Sequence, residues 1–179
     1  RHPRCYAFLH VPIQSASDAV LGAMRREYTA ADFRAVADAL LAKVPGVTLA
    51  TDVICGFPGE TEEDHQKTLR LLRHYRLPVV NISQFYPRPK TPAARLKKLP
   101  SHVVKERTRE ASALFRSYAT HVHLLGTEVR ALVTDTNASS GGGARHAHVL
   151  VAHTKAYVQL HLEMDEAIMG CTVLARVVE

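Results

Sequence analysis

The first 86 residues alternate short apolar runs with segments whose apolar residues recur at helical spacing. The apolar runs predict three strands, at Tyr6–Ile13, Val47–Cys55 and Val79–Tyr86. The helical spacing predicts helices at Ser17–Met24, Asp32–Val44 and Thr61–Tyr75. Thr61 and Asp64 form an approximate capping box for the third of these helices. Alternating strands and helices predict an α/β fold with a parallel sheet and crossover helices.

Polar, glycine-rich and proline-rich residues follow each predicted strand, at Gln14-Ser15, at Gly56–Glu60 and at Tyr86–Pro89. Ligands of parallel sheets bind at the carboxyl ends of the strands, so a binding site is predicted there. Asp52 lies within the second strand, on a face of mostly small residues. It either faces a ligand or is satisfied by neighbouring backbone groups or an arginine, and the sequence favours neither.

The pattern changes after residue 86. A proline-punctuated basic loop leads to a helix predicted at Ser101–His123, whose charges suggest an exposed helix that joins two domains. Four short strands are predicted beyond it, at Glu128–Thr134, His148–Ala152, Ala156–Leu162 and Thr172–Val178. Several short strands in so short a segment suggest a small barrel of the OB type. The predicted domains are therefore residues 1–123 and 124–179.

Charge is concentrated in one part of the chain. The net charge is +6, yet residues 65–116 contain thirteen Lys and Arg and only two Glu, so the remainder is acidic. A localised basic surface suits a polyanion such as RNA, although it is also compatible with the solvated faces of two helices. No apolar run approaches the roughly 20 residues of a transmembrane helix.

The three cysteines, Cys5, Cys55 and Cys171, are far apart and match no zinc, redox or cluster spacing. We expect reduced, mostly buried thiols in an intracellular protein. No metal site is predicted within this chain.

Four strings occur in a characteristic order: LHVPIQSASD, MRREYTAADF, TDVICGFPGETEEDHQKT and QFYPRPKTPAARL. Together they resemble the radical S-adenosylmethionine (SAM) tRNA methylthiotransferase family. The REYT and QFYPRP strings are similar to the branch that acts on N6-threonylcarbamoyladenosine. The region after Leu124 resembles the family's TRAM domain. The resemblance implies the last three strands of a radical SAM (β/α) barrel, followed by a small OB-like all-β TRAM domain.

The resemblance also implies the cofactors, which are SAM and two [4Fe–4S] clusters. The cluster ligands are not in this chain, so the chain alone should be inactive and no catalytic residue is assigned to it. The residues implied in SAM binding are Gln14, Ser15, Ser17, Arg25, Arg26, Asp52, Ile54, Gly56, Phe57, Gly59, Glu60, Phe85 and Tyr86. Arg25 or Arg26 would pair with the SAM carboxylate. The alternatives are that they contact tRNA phosphates or are ordinary surface charges.

Two positions depart from the family pattern. Ala16 and Lys90 stand where the family usually has glycine. If Lys90 requires a positive φ, its backbone will be strained.

The implied partner is tRNA, with adenosine 37 of the anticodon loop as the target, and DNA is not expected. The residues predicted to bind RNA are Lys67, Arg70, Arg88, Lys90, Arg95, Lys97, Lys98 and Arg107. The implied activity is 2-methylthio insertion at adenine C2 by a transferase in the cytoplasm, with endoplasmic reticulum anchoring where relatives add a C-terminal tail. The alternatives are a non-catalytic RNA-binding protein, or a methylthiotransferase acting on isopentenyladenosine tRNA or on a ribosomal-protein aspartate.

Overall fold

The computed structural model describes residue 2 and residues 4–118, 120–138 and 148–178. The chain divides into two compact units. The α/β unit is Leu9–Thr120, and the β unit consists of the residues up to Phe8 together with those from His121 onward. In the described ranges, no helix combines the length and apolar character needed to cross a membrane.

The α/β unit is built on a three-stranded sheet in the order β1-β2-β3. The strands are β1 (Phe8–His10), β2 (Thr48–Cys55) and β3 (Val79–Gln84). β2 and β3 are parallel, with Asp52 opposite Asn81 and Ile54 opposite Ser83. The predicted parallel sheet is therefore confirmed, but β1 is shorter than the predicted Tyr6–Ile13. The chain continues beside β2 after β1 ends, because the backbone N–H of Val11 donates to Ala50 O at 2.8 Å.

Four α-helices accompany this sheet: α1 (Asp18–Ala23), α2 (Ala30–Lys43), α3 (Glu62–Tyr75) and α4 (Ser101–Ser117). A capping box of Thr61 and Asp64 opens α3, as predicted. A second capping box, of Thr29 and Asp32, opens α2 two residues before its predicted start. The helices and the sheet enclose one apolar core, whose fully buried members include Ile13, Val53, Leu69, Leu71, Leu72, Leu77 and Ala111.

Helix α4 was predicted to be an exposed connection that runs to His123, and the structure differs from this prediction. It ends at Ser117, and it packs on β3 and α3. Ala111 and Arg107 are both buried on its inner face. The charged face seen in the sequence is real, but α4 is an integral part of the α/β unit.

The β unit contains a four-stranded sheet in the order β6-β5-β4-β7, with every neighbouring pair antiparallel. Its strands are β4 (Glu128–Ala138), β5 (His148–Thr154), β6 (Gln159–Leu162) and β7 (Thr172–Arg176). A register shift between Val133 and Asp135 interrupts the β4–β5 pairing, as at a β-bulge. Short 3-10 turns occupy Pro92–Arg95 in the α/β unit, and Val122–Leu124 and Glu166–Ile168 in the β unit.

The expectation of mostly buried cysteines is wrong. Cys55 is buried at the end of β2, but Cys5 and Cys171 are both exposed. Both exposed thiols belong to the β unit, where the apolar core is small and is formed by Ala131, Val133, Leu150 and Ala152. A small core leaves more of the neighbouring chain accessible to solvent.

Candidate cofactor and substrate cleft

The segment after β1 reaches the candidate site through a residue with an unusual backbone conformation. Gln14 is buried and has a φ of 64°. Its N–H donates to Asp52 O at 2.9 Å, and its carbonyl accepts from Ile54 N at 2.9 Å. Non-glycine residues with positive φ persist where the surroundings fix them, and they cluster at functional sites. The backbone of Gln14 is thus held beside the end of β2.

Helix α3 holds the serines that follow Gln14. The Ser17 hydroxyl donates to Asp64 Oδ1 at 2.6 Å, and the backbone N–H of Ala16 donates to Thr68 Oγ1 at 3.0 Å. Ser15 and Ser17 are each only 1% exposed. Burial raises the pKa of Asp64, but hydrogen bonds from Ser17 and Thr61 outweigh it and lower that pKa to about 2. The Ser17 hydroxyl therefore has a structural partner, and its contact with a cofactor stays a prediction.

The turn between β2 and α3 shows why glycine is required at position 56, and the sequence had not indicated this reason. Gly56 has a φ of 79°, and a Cβ on it would lie 2.6 and 2.7 Å from the two Cγ atoms of Val104. The close approach to this glycine therefore comes from α4. Gly59 also has a positive φ, of 85°, but no atom lies within 4 Å of where its Cβ would be. Gly59 is exposed, so it remains open to a ligand.

Glu60 and Arg107 form a buried ion pair that fixes this turn. Arg107 Nη1 lies 2.8 Å from Glu60 Oε2 and 2.9 Å from Glu60 O. The same carboxylate accepts the N–H of Gly56 at 2.9 Å. Glu60 is 4% exposed and Arg107 is 6% exposed. Both side chains are thus engaged inside the protein, which leaves neither Glu60 for the cofactor nor Arg107 for RNA in this arrangement.

Asp52 lies on the sheet face that the sequence suggested. Its Oδ1 lies 2.9 Å from His10 Nε2 and accepts from Asn81 Nδ2 at 2.9 Å. Asp52 thus has side-chain partners within the protein, and its contact with a ligand stays a prediction. The parallel register places Asn81 and Ser83 beside Asp52 and Ile54. Polar residues alternating along β3 were the sequence signal that could have identified this second polar strand.

A cleft of about 670 Å³ opens at the carboxyl ends of β2 and β3. Six residues predicted to bind the cofactor line it: Arg25, Arg26, Ile54, Phe57, Phe85 and Tyr86. The other seven are absent from its wall, namely Gln14, Ser15, Ser17, Asp52, Gly56, Gly59 and Glu60. The sequence missed further lining residues, which include Met24, Ser83, Gln84, Thr91, Pro92 and Leu96. Met24 follows α1, Ser83 and Gln84 end β3, and the other three lie in the segment after β3, so their position in the fold matters more than their residue type.

The cleft is lined by both aromatic and basic side chains. Phe57 is buried and packs edge-on against Phe85, with ring centroids 5.0 Å apart. Tyr86 is 78% exposed, which leaves its ring available to a ligand. Arg88, predicted to bind RNA, also lines the cleft. The site thus offers aromatic surface for a heterocycle and guanidinium groups for anions.

The remaining residues predicted to bind RNA are mostly exposed: Arg70, Lys90, Arg95, Lys97 and Lys98. Lys67 is half-buried and pairs with Glu63 at 3.4 Å and with Asp64 at 3.6 Å. Lys90 has a φ of 66°, so the strain anticipated at this position is present. Exposed cations on one segment are compatible with phosphate contacts.

The donor side chains that the structure describes are not arranged to hold an iron–sulfur cluster. Within residues 2–178 as described, no three His, Cys, Asp or Glu side chains are grouped to hold a metal. Burial raises the pKa of the Cys55 thiol to about 12, and the charge of Glu60 also raises it. Cysteines ligate metals as thiolates, so this buried thiol is poorly suited to ligation. No reaction step can be assigned to a cluster on the basis of these residues.

Comparisons with known proteins agree with the resemblance. The sequence profile described as the radical SAM superfamily matches residues 4–72. The chain is 50% identical over all 179 residues to the threonylcarbamoyladenosine tRNA methylthiotransferase of Danio rerio, of which it covers 31%. It is 48% identical over 169 residues to the Homo sapiens protein of the same name, covering 94% of this chain and 28% of that protein.

The Caenorhabditis elegans protein of that name is 44% identical over 177 residues, covering 98% of this chain and 40% of the relative. The chain therefore spans between about a quarter and two fifths of these relatives' length. The profile match includes the cleft residues up to Phe57, and the alignment to the Danio rerio protein includes all of them. By sequence, the chain is similar to proteins named threonylcarbamoyladenosine tRNA methylthiotransferases, and its residues 4–72 match the radical SAM superfamily.

Proposed function

We propose that this chain is the part of a tRNA-modifying enzyme that helps to bind SAM and the tRNA substrate. The enzyme would convert N6-threonylcarbamoyladenosine at position 37 of tRNA to its 2-methylthio form. The observation that carries the proposal is the 50% identity, along the whole chain, to a relative named for this substrate and transfer. The cleft at the carboxyl ends of β2 and β3 supports it, because parallel sheets bind their ligands at this edge.

The size and the side chains of the cleft support the binding of SAM. The cleft volume of about 670 Å³ lies within the usual range for small-molecule sites. Ile54 and Phe57 would pack against the adenine, and Arg25 or Arg26 would pair with the SAM carboxylate. When bound, SAM supplies the methyl group and the radical chemistry that its superfamily is named for. The residues of this chain bind and orient the reactants and exclude water from them.

The two [4Fe–4S] clusters implied by the family require ligands from other parts of the full-length protein. Because the three cysteines match no cluster spacing, we assign this chain no part in the redox step. On this proposal the chain completes a site whose metal centre is held elsewhere.

The tRNA would contact both units. Exposed cations on the 88–98 segment supply counter-charge for phosphates, and each phosphate contact adds to the salt dependence of binding. Residues 124–179, which belong to the β unit, would be the family's TRAM domain and would add an OB-like RNA-binding surface. Support for this correspondence is the four-stranded antiparallel sheet and its place in the chain.

The test is an activity assay on the full-length protein after anaerobic cluster reconstitution. It is incubated with SAM, a reductant and tRNA that carries threonylcarbamoyladenosine, and the digested nucleosides are analysed by mass spectrometry. The proposal predicts the 2-methylthio nucleoside in the complete reaction and none when SAM is omitted. Absence of any product would refute the enzyme function. A product only on isopentenyladenosine tRNA would refute the substrate.

A further inference from the structure

The cleft carries positive charge that the protein itself does not neutralise. Arg25 and Arg26 follow α1, and Arg88 follows β3, so three arginines line one cleft from two separate segments. None of the three forms an ion pair or a side-chain hydrogen bond with another residue of the described chain. The described lining residues include no Asp or Glu. Such a wall selects for anionic ligand groups.

SAM alone does not match this charge. Its sulfonium and ammonium groups are positive and its single carboxylate is negative, so the molecule is a net cation. One of the two arginines after α1 is sufficient for that carboxylate. Arg88 then remains beside the cleft with no anion to bind. Arg88 and the second arginine after α1 are exposed to solvent, so they are available to a second ligand that carries a negative group.

The backbone holds Arg88 in a defined position. Its carbonyl accepts hydrogen bonds from Thr91 N at 3.3 Å and from Thr91 Oγ1 at 2.7 Å. Pro89 and Lys90 occupy the two central positions of this turn, and the φ of 66° at Lys90 is characteristic of a type II turn. A well-defined turn lowers the entropy lost when the adjoining side chain binds a ligand.

The same segment presents aromatic rings to the cleft. The N–H of Phe85 donates to Cys55 O at 2.9 Å, which fixes the start of the segment beside the end of β2. The largely exposed ring of Tyr86 lines the same cleft as Arg88. A purine ring stacks on such a surface, and an acidic substituent on that purine can then reach a nearby guanidinium group.

We infer that Arg88 binds the carboxylate of the threonylcarbamoyl group and is thereby a specificity-determining residue. This inference rests on the proposed function, because it requires the modified adenosine to enter this cleft. Threonylcarbamoyladenosine has a free carboxylate on its N6 substituent, whereas unmodified adenosine does not. A site built around a charged hydrogen bond rejects an analogue that lacks the partner group. A phosphate of the anticodon loop has similar chemistry, and the experiment must separate these two sources.

The experiment measures kcat/KM of the reconstituted full-length enzyme on two tRNAs that share one sequence. One tRNA carries threonylcarbamoyladenosine at position 37 and the other carries unmodified adenosine, so their phosphates are the same. The variants are Arg88→Gln and the matched control Arg34→Gln, which changes an arginine of α2 outside the cleft. SAM binding is measured separately by equilibrium dialysis.

The wild-type enzyme should prefer the modified tRNA, and Arg88→Gln should reduce this preference by roughly 10- to 100-fold. The control should keep the preference, and SAM affinity should be unchanged in both variants. An equal loss on both tRNAs would overturn the inference in favour of phosphate binding, and an unchanged preference would overturn it outright. If the wild-type enzyme forms no methylthio product on either tRNA, the proposed function itself fails.

Discussion

Replacing Arg107 with methionine removes the cation that joins α4 to the turn between β2 and α3. In the wild type, Arg107 Nη1 lies 2.8 Å from Glu60 Oε2, and both residues are at least nine-tenths buried. Arg107→Met leaves the Glu60 carboxylate buried, with the N–H of Gly56 as its remaining close donor. Removing one member of a buried ion pair typically costs about 3–5 kcal/mol, and we expect a loss in that range.

A double-mutant cycle separates the ion pair from the packing of the arginine side chain. In the wild-type background, Glu60→Gln should cost about 1–3 kcal/mol because it weakens a charged hydrogen bond. In the Arg107→Met background the same change should be nearly neutral or stabilising, because it removes an uncompensated buried charge. The predicted coupling free energy between the two positions is therefore roughly 1–3 kcal/mol.

The assay is urea unfolding of the chain followed by far-UV circular dichroism. All four α-helices lie within Leu9–Thr120, so the helical signal reports on the unit that contains the ion pair. Arg109→Met is a matched control, because Arg109 is an exposed residue of the same helix and its replacement should change stability by less than about 0.5 kcal/mol. A loss below about 1 kcal/mol for Arg107→Met, or no measurable coupling to Glu60→Gln, would contradict this reasoning.

Four further outcomes are expected. Gly56→Ala should lower the free energy of unfolding by about 2–5 kcal/mol, because the new Cβ would collide with Val104 and because the φ of Gly56 is positive. In a Val104→Ala background, part of this loss should be restored. Lys90→Gly should raise stability by about 0.5 kcal/mol in the same urea assay, because glycine tolerates the φ of 66°, and a clear loss would contradict this. Because folding lowers the pKa of Asp64, this residue contributes about 2 kcal/mol to the free energy of unfolding above its unfolded pKa, and the contribution is lost as the pH falls from about 4 to about 2. Acid unfolding of Asp64→Asn should lack this pH-dependent contribution. With Ellman's reagent near neutral pH, Cys55 should react only after denaturation, whereas the other two thiols are exposed and should react at once.

Local signals allowed much of the α/β unit to be predicted from the sequence. The Thr61–Asp64 capping box located the start of α3, and the helix ends at Tyr75 as predicted. The start of α2 was misplaced, although the Thr29–Asp32 box was also visible in the sequence. Where both partners lie within one helical turn, residue type and spacing carry the information.

Contacts between distant residues could not be predicted in this way. The partner of Glu60 lies 47 residues away on α4, and no spacing rule connects them. For the same reason Gly56 was interpreted as a site of ligand approach, whereas α4 occupies that position. Basic residues on a helix look alike in sequence whether they face solvent or a buried carboxylate, which is why Arg107 was assigned to RNA.

The candidate site also combines features that local sequence signals predicted with contacts between distant residues that they did not. Strand ends identified the edge of the sheet where the cleft lies, and six predicted residues line it. Buried serines such as Ser17 were assigned to the cofactor by resemblance, but the fold uses the hydroxyl of Ser17 to join α1 to α3. Arg88 was assigned to RNA in general, and only its position in the wall of the cleft suggests a more specific ligand.

The most direct test of the central claim is to locate the bound cofactor and substrate on the full-length protein. Hydrogen–deuterium exchange would be measured on the reconstituted enzyme alone, with SAM, and with SAM plus modified tRNA. The account predicts slower exchange with SAM at residues 24–26 and 54–57, and added protection at residues 85–91 when tRNA binds. Unchanged exchange in all three segments, with protection confined to other parts of the protein, would contradict it.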